Sequence, residues 1–374
     1  MFDGVKNILV IKLRHIGDVL LTVPAIRALK ENFKGAGVSA LVNSGTEEML
    51  TLNPLLDTVI SFQRSVKDLP ALKRISSESR FIKELRARNF DMAVDLTGGD
   101  RPALIGYLSG ARYRLGYEPG GGFAGKRYLY THLAKRPVGR THTVLRDLGI
   151  VKSFGIGTKD LTVDIFTSRE DDAFIDSLLR EHLKDGEPFV HVHPASRWLF
   201  KCWRDDYMAA SLDWLQSRGL RAVITSGPQE TEIRKARAIS GLMKTPPVDL
   251  SGRLGLKHLS SLSRRSAFFF GVDSAPMHIA AASGAKVAGV FGPSGAFDWG
   301  PWDNGAAGVD GFSETRATPY PEKNGVQTFG GNIVIQKDWD CVPCGKDGCG
   351  GSKKSDCLDA MTPEEVFGAL LKII

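Results

Sequence analysis

The sequence predicts an α/β protein built from two doubly wound domains. Short apolar runs that fit buried strands alternate with amphipathic segments that fit helices, and this alternation recurs in both halves of the chain. The stretch Phe268–Pro293 is one such strand–helix–strand unit, with an Ala-rich helix between two apolar runs. Because parallel strands need a crossover connection, the two runs predict neighbouring parallel strands. The length of 374 residues also favours two hydrophobic cores over one.

The first half contains the elements of one doubly wound domain. The predicted strands are Val5–Ile11, Gly37–Val42, Val59–Phe62, Asp91–Leu96 and Arg112–Gly116. Helices are predicted to begin at Asp18, near Phe81 and near Ala103, and a Gly-rich loop is expected at 118–127. Pro24 lies inside the first helix. Since proline in a helix interior costs about 3 kcal/mol, this helix is either kinked there or begins late, with Thr22 as its cap.

The second half repeats the pattern. The predicted strands are Phe189–His193, Leu220–Ser226, Val248–Leu250, Ala267–Gly271 and Val287–Phe291. Loops are expected beyond Trp302, and Thr362, Pro363 and two acids predict the start of a terminal helix. We therefore predict a first domain at 1–165, a bridging helical segment at 166–187, a second domain at 188–360 and a terminal helix at 361–374.

The composition is that of a soluble globular protein, with 42% hydrophobic and 24% charged residues. No apolar run approaches the roughly 20 residues needed to span a bilayer. The first run, Ile8–Leu13, is too short for a signal peptide and lacks a cleavage site. These observations predict a cytoplasmic protein.

Basic residues are concentrated in one part of the chain. The net charge of +7 is modest, but Ser61–Phe90 holds eight Lys or Arg residues against three acids. One interpretation is an ordinary solvated surface. The other is a face for an anionic partner, either membrane lipid or a phosphorylated substrate.

Four of the five cysteines lie in one segment near the end of the chain: Cys341, Cys344, Cys349 and Cys357. In a reducing compartment a disulfide framework is not expected, and a CxxC followed by two more cysteines is compatible with a small structural metal site. The spacing is irregular for a zinc ribbon. Bound metal, free thiols and disulfides therefore all remain open from the sequence.

The sequence argues against several common classes of site. It has no GxGxxG after the first strand, no GxxxxGK[ST], no HExxH and no GxSxG. Nicotinamide-dinucleotide, P-loop, zincin and α/β-hydrolase sites are therefore not supported. The remaining candidates follow strand ends, where open α/β sheets bind their ligands against helix N-termini.

Two aspartates are the main candidates at these strand ends. Asp18 lies in a first helical turn, where it either complements the helix dipole or acts as a general base in a ligand site. Asp273 either caps its helix or faces sugar hydroxyls, while Ser274 and Ala275 present backbone amides to a diphosphate. His278, one turn later, is either a packed core histidine or part of the same site.

A second group of candidates surrounds the preceding strands of the second half. Ser196 and Lys201 are residue types that hold phosphate oxygens, and Arg197 can do the same, although surface charge is the alternative. Gly227 and Glu230 follow another strand end, where a carboxylate can accept hydrogen bonds from a ribose or a base amine.

Four stretches of the chain together resemble the bacterial lipopolysaccharide heptosyltransferases, glycosyltransferase family nine. They are GDVLLTVPAIRAL at 17–29, HPASRWLFKCW at 193–203, GPQE at 227–230 and GVDSAPMHIAAASG at 271–284. The RWLFKCW run is most similar to the heptosyltransferase III branch. The resemblance implies a GT-B fold, in which two Rossmann-like domains face each other across a central cleft and the final helix packs back on the first domain.

The resemblance also implies a reaction and the residues that carry it. The reaction is metal-independent, inverting transfer of L-glycero-D-manno-heptose from ADP-heptose to an inner-core sugar of lipopolysaccharide, at the inner-membrane surface. Asp18 is the implied base and Lys201 the implied partner of the leaving diphosphate. The implied donor-binding residues are Ser196, Arg197, Lys201, Gly227, Glu230, Asp273, Ser274, Ala275 and His278. The predicted acceptor-binding residues are Arg14, Arg64, Lys67 and Arg101.

The sequence departs from the family in two places. Ala275-Pro276 stands where many members have a glycine after threonine, which removes one backbone donor at Pro276. The cysteine-rich segment is not part of the expected pattern. A GT-B transferase for another nucleotide sugar and a catalytically silent nucleotide-binding protein are the alternatives.

Overall fold

The computed structural model describes residues 1–63, 70–308, 312 and 316–374. These residues form two compact units, Met1–Phe166 and Thr167–Ile374. Each unit has its own sheet and its own hydrophobic core, so the predicted α/β fold with two doubly wound domains is confirmed. None of the helices in the described ranges combines the length and the apolar character that crossing a bilayer demands.

The first unit is built on a six-stranded parallel sheet in the order β3-β2-β1-β4-β5-β6. This is the strand order of a Rossmann fold, whose ligands bind beyond the carboxyl ends of the strands. The strands are β1 Asn7–Lys12, β2 Gly37–Asn43, β3 Thr58–Phe62, β4 Met92–Asp95, β5 Tyr113–Tyr117 and β6 His132–Ala134. Strand β6 was not predicted, because three residues are too few to establish a strand pattern.

The described residues of the first unit form the helices α1 Ile16–Leu20, α2 Val23–Asn32, α3 Ala71–Arg86, α4 Asp100–Leu108 and α5 Thr143–Lys152 around its sheet. Thr22 occupies the N-cap position of α2 and Pro24 lies in its first turn, where a missing N–H costs little. The late start predicted as one alternative is therefore confirmed. Helix α3 begins at Ala71, well before the predicted start near Phe81. Its early turns were not predicted because they are exposed and carry no apolar periodicity.

The second unit has a seven-stranded sheet in the order β12-β13-β11-β10-β7-β8-β9. The strands are β7 Phe189–His193, β8 Arg221–Ile224, β9 Val248–Asp249, β10 Phe268–Val272, β11 Val287–Phe291, β12 Val326–Phe329 and β13 Asn332–Gln336. All neighbours are parallel except β12 and β13, which form an antiparallel hairpin at the edge. The expectation of loops throughout the region beyond Trp302 is therefore wrong. The Gly330-Gly331 pair between β12 and β13 is a sequence pattern typical of a hairpin turn, and Gly330 has a positive φ.

The helices of the second unit are α6 Arg169–His182, α7 Asp205–Gln216, α8 Glu230–Leu242, α9 Leu256–Arg265, α10 Ala275–Ala282, α11 Ala296–Trp299, α12 Asn304–Ala307, α13 Asp356–Asp359 and α14 Pro363–Leu370. The core lies between these helices and the sheet, and it includes Trp203, Phe268 and Phe270. At β10, a side chain on Gly271 would meet the His193 carbonyl at 2.6 Å, so only glycine allows β10 and β7 to pair so closely here.

Helix α6, in the segment predicted to bridge the two domains, belongs to the second unit. It packs against α9 inside the second unit. Asp172 pairs with Arg264 at 2.5 Å, Asp176 pairs with Arg265 at 2.5 Å, and Phe174 stacks on His258. The acidic side chains that suggested a linker form ion pairs with arginines of the same unit.

The terminal helix α14 packs on α7 and β13 of the second unit, and its return to the first domain stays a prediction. Its Phe367 ring stacks on Trp214 of α7, with centroids 4.6 Å apart and planes 4° apart. Val366 and Leu370 are buried in the core of the second unit, and Glu365 pairs with Lys337 at 2.6 Å. The apolar face of α14 is therefore covered by α7 and β13.

Candidate functional site

The candidate donor-binding residues gather at one edge of the second sheet. Strands β11, β10, β7 and β8 are successive neighbours, and all four are parallel. Their carboxyl ends therefore lie on the same edge, where ligands bind in this class of fold. Ser196 follows β7, Gly227 follows β8 and Asp273 follows β10. The structure thus brings these three predicted residues to a common edge.

Lys201 and Asp273 form an ion pair at this edge. Lys201 lies in a single 3₁₀ turn, Leu199–Lys201, and its Nζ donates to Asp273 Oδ2 at 2.7 Å. Asp273 is buried, whereas the Lys201 side chain is partly exposed. An ammonium has three protons, and one of them serves Asp273. Lys201 is therefore held in place and still has protons to donate to an anionic ligand.

The start of α10 carries an unpaired polar atom. Ser274 occupies the N-cap position, but its side chain makes no capping hydrogen bond. The Ser274 Oγ is buried and has no hydrogen-bond partner among the described residues. An unsatisfied buried hydroxyl costs roughly 1–3 kcal/mol, and the first amides of a helix attract anions. This combination suits an oxygen-rich ligand beside Asp273, where Ala275 begins the helix.

The segment after β7 is fixed by short-range hydrogen bonds. The Trp198 amide donates to Ser196 Oγ at 3.3 Å, and the Ser196 amide donates to Cys202 Sγ at 3.2 Å. Burial raises the pKa of the Cys202 thiol to about 11, so this cysteine is a neutral hydrogen-bonding group. Arg197 is exposed, with its guanidinium 5.4 Å from the Trp198 ring centroid.

At the end of β8 a second glutamate is better placed than the predicted one. The side chain of Glu230 is 70% exposed and lies 3.7 Å from Arg234 of the same helix. Glu232 is only 7% exposed, and its carboxylate lies against the backbone of Gly227. Burial raises the pKa of Glu232, with Gly227 and Arg197 acting against the rise. Glu232 could not be told from Glu230 by sequence, because both glutamates lie in the same helical turn.

Gly227 is needed for this arrangement. A Cβ at position 227 would lie 2.8 Å from Glu232 Oε2 and 2.8 Å from Gln229 Oε1, so any side chain would displace the carboxylate. The glycine therefore lets the backbone approach Glu232 closely.

Buried histidines lie beneath this edge. His191 bridges Ser263 at 2.8 Å and Thr225 at 2.9 Å, and His193 contacts the same Thr225 hydroxyl at 2.9 Å. Burial lowers the pKa of His193 to about 3 and that of His191 well below its usual value, so both rings are neutral. His278 is likewise buried in α10. The structure therefore uses His191 and His193 to connect β7, β8 and α9.

In the first unit, Asp18 lies in the first turn of α1, immediately after the loop that follows β1. Its carboxylate is partly buried. Among the residues that the structure describes, no hydrogen bond to this carboxylate is found, so a capping role is not supported. The carboxylate remains available to accept a proton at the carboxyl edge of the first sheet.

A pocket of about 270 Å³ lies at the same edge of the first sheet. It brings together two predicted acceptor-binding residues, Arg14 and Arg101, with Asn43 and Thr97. Arg14 donates to the Thr97 carbonyl at 3.2 Å, and the Arg101 guanidinium lies 5.2 Å from the Phe62 ring centroid. The other two predicted residues, Arg64 and Lys67, lie outside the described residues.

The four clustered cysteines are free thiols. In the described part of the chain, no three Cys, His, Asp or Glu side chains are grouped so that they could hold a metal ion. Burial raises the pKa of Cys357 to about 11, with the charges of Cys349, Cys344 and Cys341 adding to the rise. Because no such group is found among the described residues, the predicted structural metal at Cys341, Cys344, Cys349 and Cys357 is not supported.

Comparison with known proteins identifies the family. A model of glycosyltransferase family 9 (heptosyltransferase) matches residues 79–324, which is more than half of the chain. Lipopolysaccharide heptosyltransferase 3 of Escherichia coli (strain K12) is 32% identical over 299 residues, covering 78% of this chain and 83% of the relative. Lipopolysaccharide heptosyltransferase 1 of Pseudomonas aeruginosa is 23% identical and covers 92% of this chain and 87% of its own.

Solved structures share the fold. A glycosyltransferase family 9 protein from Veillonella parvula matches with a TM-score of 0.78 and 19% identity, covering 100% of this chain and 98% of its own. E. coli heptosyltransferase WaaC with ADP matches with a TM-score of 0.71 and 16% identity, covering 98% of this chain and 100% of its own. The predicted GT-B fold class with two Rossmann-like domains and the predicted transferase class are confirmed. The chain belongs to glycosyltransferase family 9, the heptosyltransferase family.

Proposed function

We propose that this protein transfers L-glycero-D-manno-heptose from ADP-heptose to an inner-core sugar of lipopolysaccharide, with inversion at the anomeric carbon. The observation that carries the proposal is the Lys201–Asp273 ion pair, which lies beside the unpaired Ser274 hydroxyl at the start of α10. Relatives support the choice of substrates: one solved neighbour is E. coli heptosyltransferase WaaC with ADP-2-deoxy-2-fluoro heptose, and several relatives are named lipopolysaccharide heptosyltransferases.

The second unit binds the donor in this proposal. Lys201, the Ser196 hydroxyl and the first amides of α10 hold the diphosphate, and Asp273 accepts hydrogen bonds from the heptose hydroxyls. Glu232 accepts hydrogen bonds from the ribose, because its buried carboxylate lies against the backbone of Gly227 at the end of β8. Glu230 and Arg197 lie at the exposed rim, and His278 supports α10 from within.

The first unit binds the acceptor and supplies the base. Arg14 and Arg101 meet the negative charge of a phosphorylated inner core in the pocket that they line. Asp18 accepts the proton of the attacking hydroxyl, whose oxygen forms the new bond to the anomeric carbon. The bond from that carbon to the diphosphate breaks, and its electron pair leaves with ADP. Lys201 and the α10 amides stabilise the charge on ADP, so the proposed reaction requires no metal ion.

Thermal stabilisation by nucleotides tests the choice of donor. ADP and ADP-heptose should raise the melting temperature, whereas UDP and UDP-sugars should have little effect. A larger shift with UDP would favour a transferase for another nucleotide sugar. Stabilisation by ADP without any ADP release from ADP-heptose, in the presence of a core acceptor, would favour a silent nucleotide-binding protein.

We also infer that the first unit rests on the anionic inner-membrane surface through α3 and the neighbouring α4. Leu72 and Ile75 of α3 are 83% and 58% exposed, and α4 exposes Leu104, Tyr107 and Leu108. The exposed basic side chains of α3 are Lys73, Arg74, Arg80, Lys83 and Arg86. Apolar side chains interleaved with basic ones suit the interface of an anionic bilayer.

A further inference from the structure

A buried ion pair lies beneath the loop that leads to Asp18. Lys12, the last residue of β1, donates from Nζ to Asp147 Oδ2 of α5 at 2.5 Å and to the Leu96 carbonyl at 3.0 Å. Both charged residues are buried. Desolvation makes a buried ion pair a weak source of stability, and apolar residues of similar volume often serve a fold equally well. The position of this pair therefore calls for an explanation other than stability.

The pair is electrostatically linked to Asp18. Burial raises the pKa of Asp147 most strongly, Lys12 and Arg146 oppose the rise, and the negative charge of Asp18 adds to it. Tyr117 of β5 also lies near Asp147, whose charge contributes with burial to raising the pKa of Tyr117 to about 12. Asp18, Lys12 and Asp147 thus form a cluster of two negative charges and one positive charge, with Arg146 and Tyr117 at its border.

The same lysine helps to fix the backbone before α1. Lys12 joins the end of β1 to the end of β4 through Leu96. The following residues repeat this connection, because the Leu13 amide donates to Thr97 Oγ1 at 2.9 Å and Asn43 donates to the Arg14 carbonyl at 2.9 Å. The loop that orients Asp18 is therefore attached to β4 and β2 on either side of β1.

We propose that Lys12 and Asp147 are positioning residues for Asp18, fixing the backbone that leads to it and balancing the charge around it. The inference rests on the proposed role of Asp18 as general base. When Asp18 accepts the proton of the acceptor hydroxyl, one negative charge disappears from the cluster. The buried pair beneath it is already hydrogen-bonded and does not have to reorganise at that moment.

Asp147→Asn tests this role, since asparagine keeps an oxygen for Lys12 but removes the charge. We expect kcat to fall about tenfold with the KM for ADP-heptose unchanged, as a well-placed base contributes about 10²–10⁴-fold in all. Asp147→Glu should restore most of kcat, because it returns the carboxylate to Lys12.

Three further variants complete the experiment. Lys12→Met with Asp147→Leu removes both charges without leaving either unpaired, and it should also lower kcat. Asp164→Asn is the matched control, because Asp164 pairs with the buried Arg27 of the same unit, and it should keep wild-type kcat and KM. Asp18→Asn tests the proposed base itself. Stabilisation of each variant by ADP checks that the protein is folded, independently of turnover.

The outcomes separate the two ideas. If Asp147→Asn and the double variant keep wild-type kcat, while Asp18→Asn loses turnover, the positioning role is wrong and the proposed function stands. If Asp18→Asn itself turns over at the wild-type rate, the base assignment fails, and the positioning role fails with it.

Discussion

The ammonium of Lys201 is bonded to the carboxylate of Asp273 at 2.7 Å, although 72 residues separate them in the chain. One residue follows β7 and the other follows β10, and these strands are neighbours in the sheet. The pair therefore joins the loop expected to hold phosphate to the helix start expected to face sugar. A ligand that engages Lys201 also acts on Asp273 through this bond.

Lys201→Ala should impair both turnover and donor binding. The lysine is expected to contact the diphosphate before the reaction and more strongly as ADP leaves, so kcat should fall by roughly 10²–10³ and the KM for ADP-heptose should rise. Lys201→Arg should recover part of the activity by restoring the charge. Steady-state release of ADP measures both constants.

Arg204→Ala is the control for this experiment, because Arg204 is an exposed basic residue that pairs with Asp206 at 2.6 Å and lies in the same segment. Its variant should keep wild-type constants. Equal effects of the two alanine variants would show that Lys201 acts through general surface charge and not at the diphosphate.

Asp18→Asn should lower kcat by about 10²–10⁴-fold, the usual contribution of a general base. The asparagine has nearly the same shape but cannot take the proton of the acceptor hydroxyl. Because the donor is expected to bind to the second unit, stabilisation by ADP should remain at the wild-type level. Single-turnover transfer from ADP-heptose gives the rate, and an undiminished rate would remove Asp18 from the mechanism.

The sequence was sufficient for most of the fold because its parallel strands are buried on both faces. Strands such as Phe268–Val272 are continuous apolar runs, and such runs can be recognised locally. Less could be predicted where the local pattern is ambiguous. The charged helix α6 suggested a linker, and only the arginines of α9 explain its aspartates. The destination of α14 depends on which apolar surface is left uncovered, which its own residues do not reveal.

For the candidate site, the sequence indicated which strand ends matter but not which side chains face each other. The pairing of Lys201 with Asp273 depends on strand order, which emerges only from the whole sheet. Glu230 and Glu232 are nearly equivalent in the sequence, and burial alone separates them. The Lys12–Asp147 pair joins two residues 135 positions apart and had no local signal.

Replacing Leu72 and Ile75 with serine should weaken binding to anionic vesicles. The two side chains are exposed on α3 beside Lys73 and Arg74, and burying each in the interface should contribute roughly 1.5–3 kcal/mol. Binding of the double variant to phosphatidylglycerol-containing vesicles should fall at least tenfold, as measured by co-sedimentation.

Leu242→Ser provides the matched control for the membrane experiment, because Leu242 is an exposed leucine of the second unit, at the end of α8. This variant should bind vesicles like the wild type. Equal binding by all variants, or equal binding to neutral vesicles, would argue against α3 as the docking surface.

Acid should destabilise the second unit through its buried histidines. The pKa of His193 is about 3 in the folded protein, because burial disfavours the charged ring, and about 6.5 in an unfolded chain. Between these values the unfolded chain binds the extra proton. The contribution of His193 is therefore fully present above pH 6.5 and is lost as the pH falls, by about 2 kcal/mol at pH 5.

The measurement is the free energy of unfolding in urea at pH 7 and pH 5. The wild type should lose more stability between these values than His193→Gln, by about 2 kcal/mol. His182→Gln is the control, since His182 is a partly exposed histidine at the end of α6 and should retain the wild-type dependence. Identical losses in all three proteins would mean that His193 is protonated with the chain still folded.

Glu232→Gln should weaken ADP binding more than Glu230→Gln does. The Glu232 carboxylate is buried and lies against the backbone of Gly227, whereas Glu230 is exposed and faces Arg234. A hydrogen bond to a charged group contributes about 1.5–3 kcal/mol, so the dissociation constant for ADP should rise roughly tenfold or more in Glu232→Gln and change little in Glu230→Gln. Isothermal titration calorimetry compares the two directly. The reverse order of effects would move the ribose contact to Glu230, as the sequence resemblance alone implied.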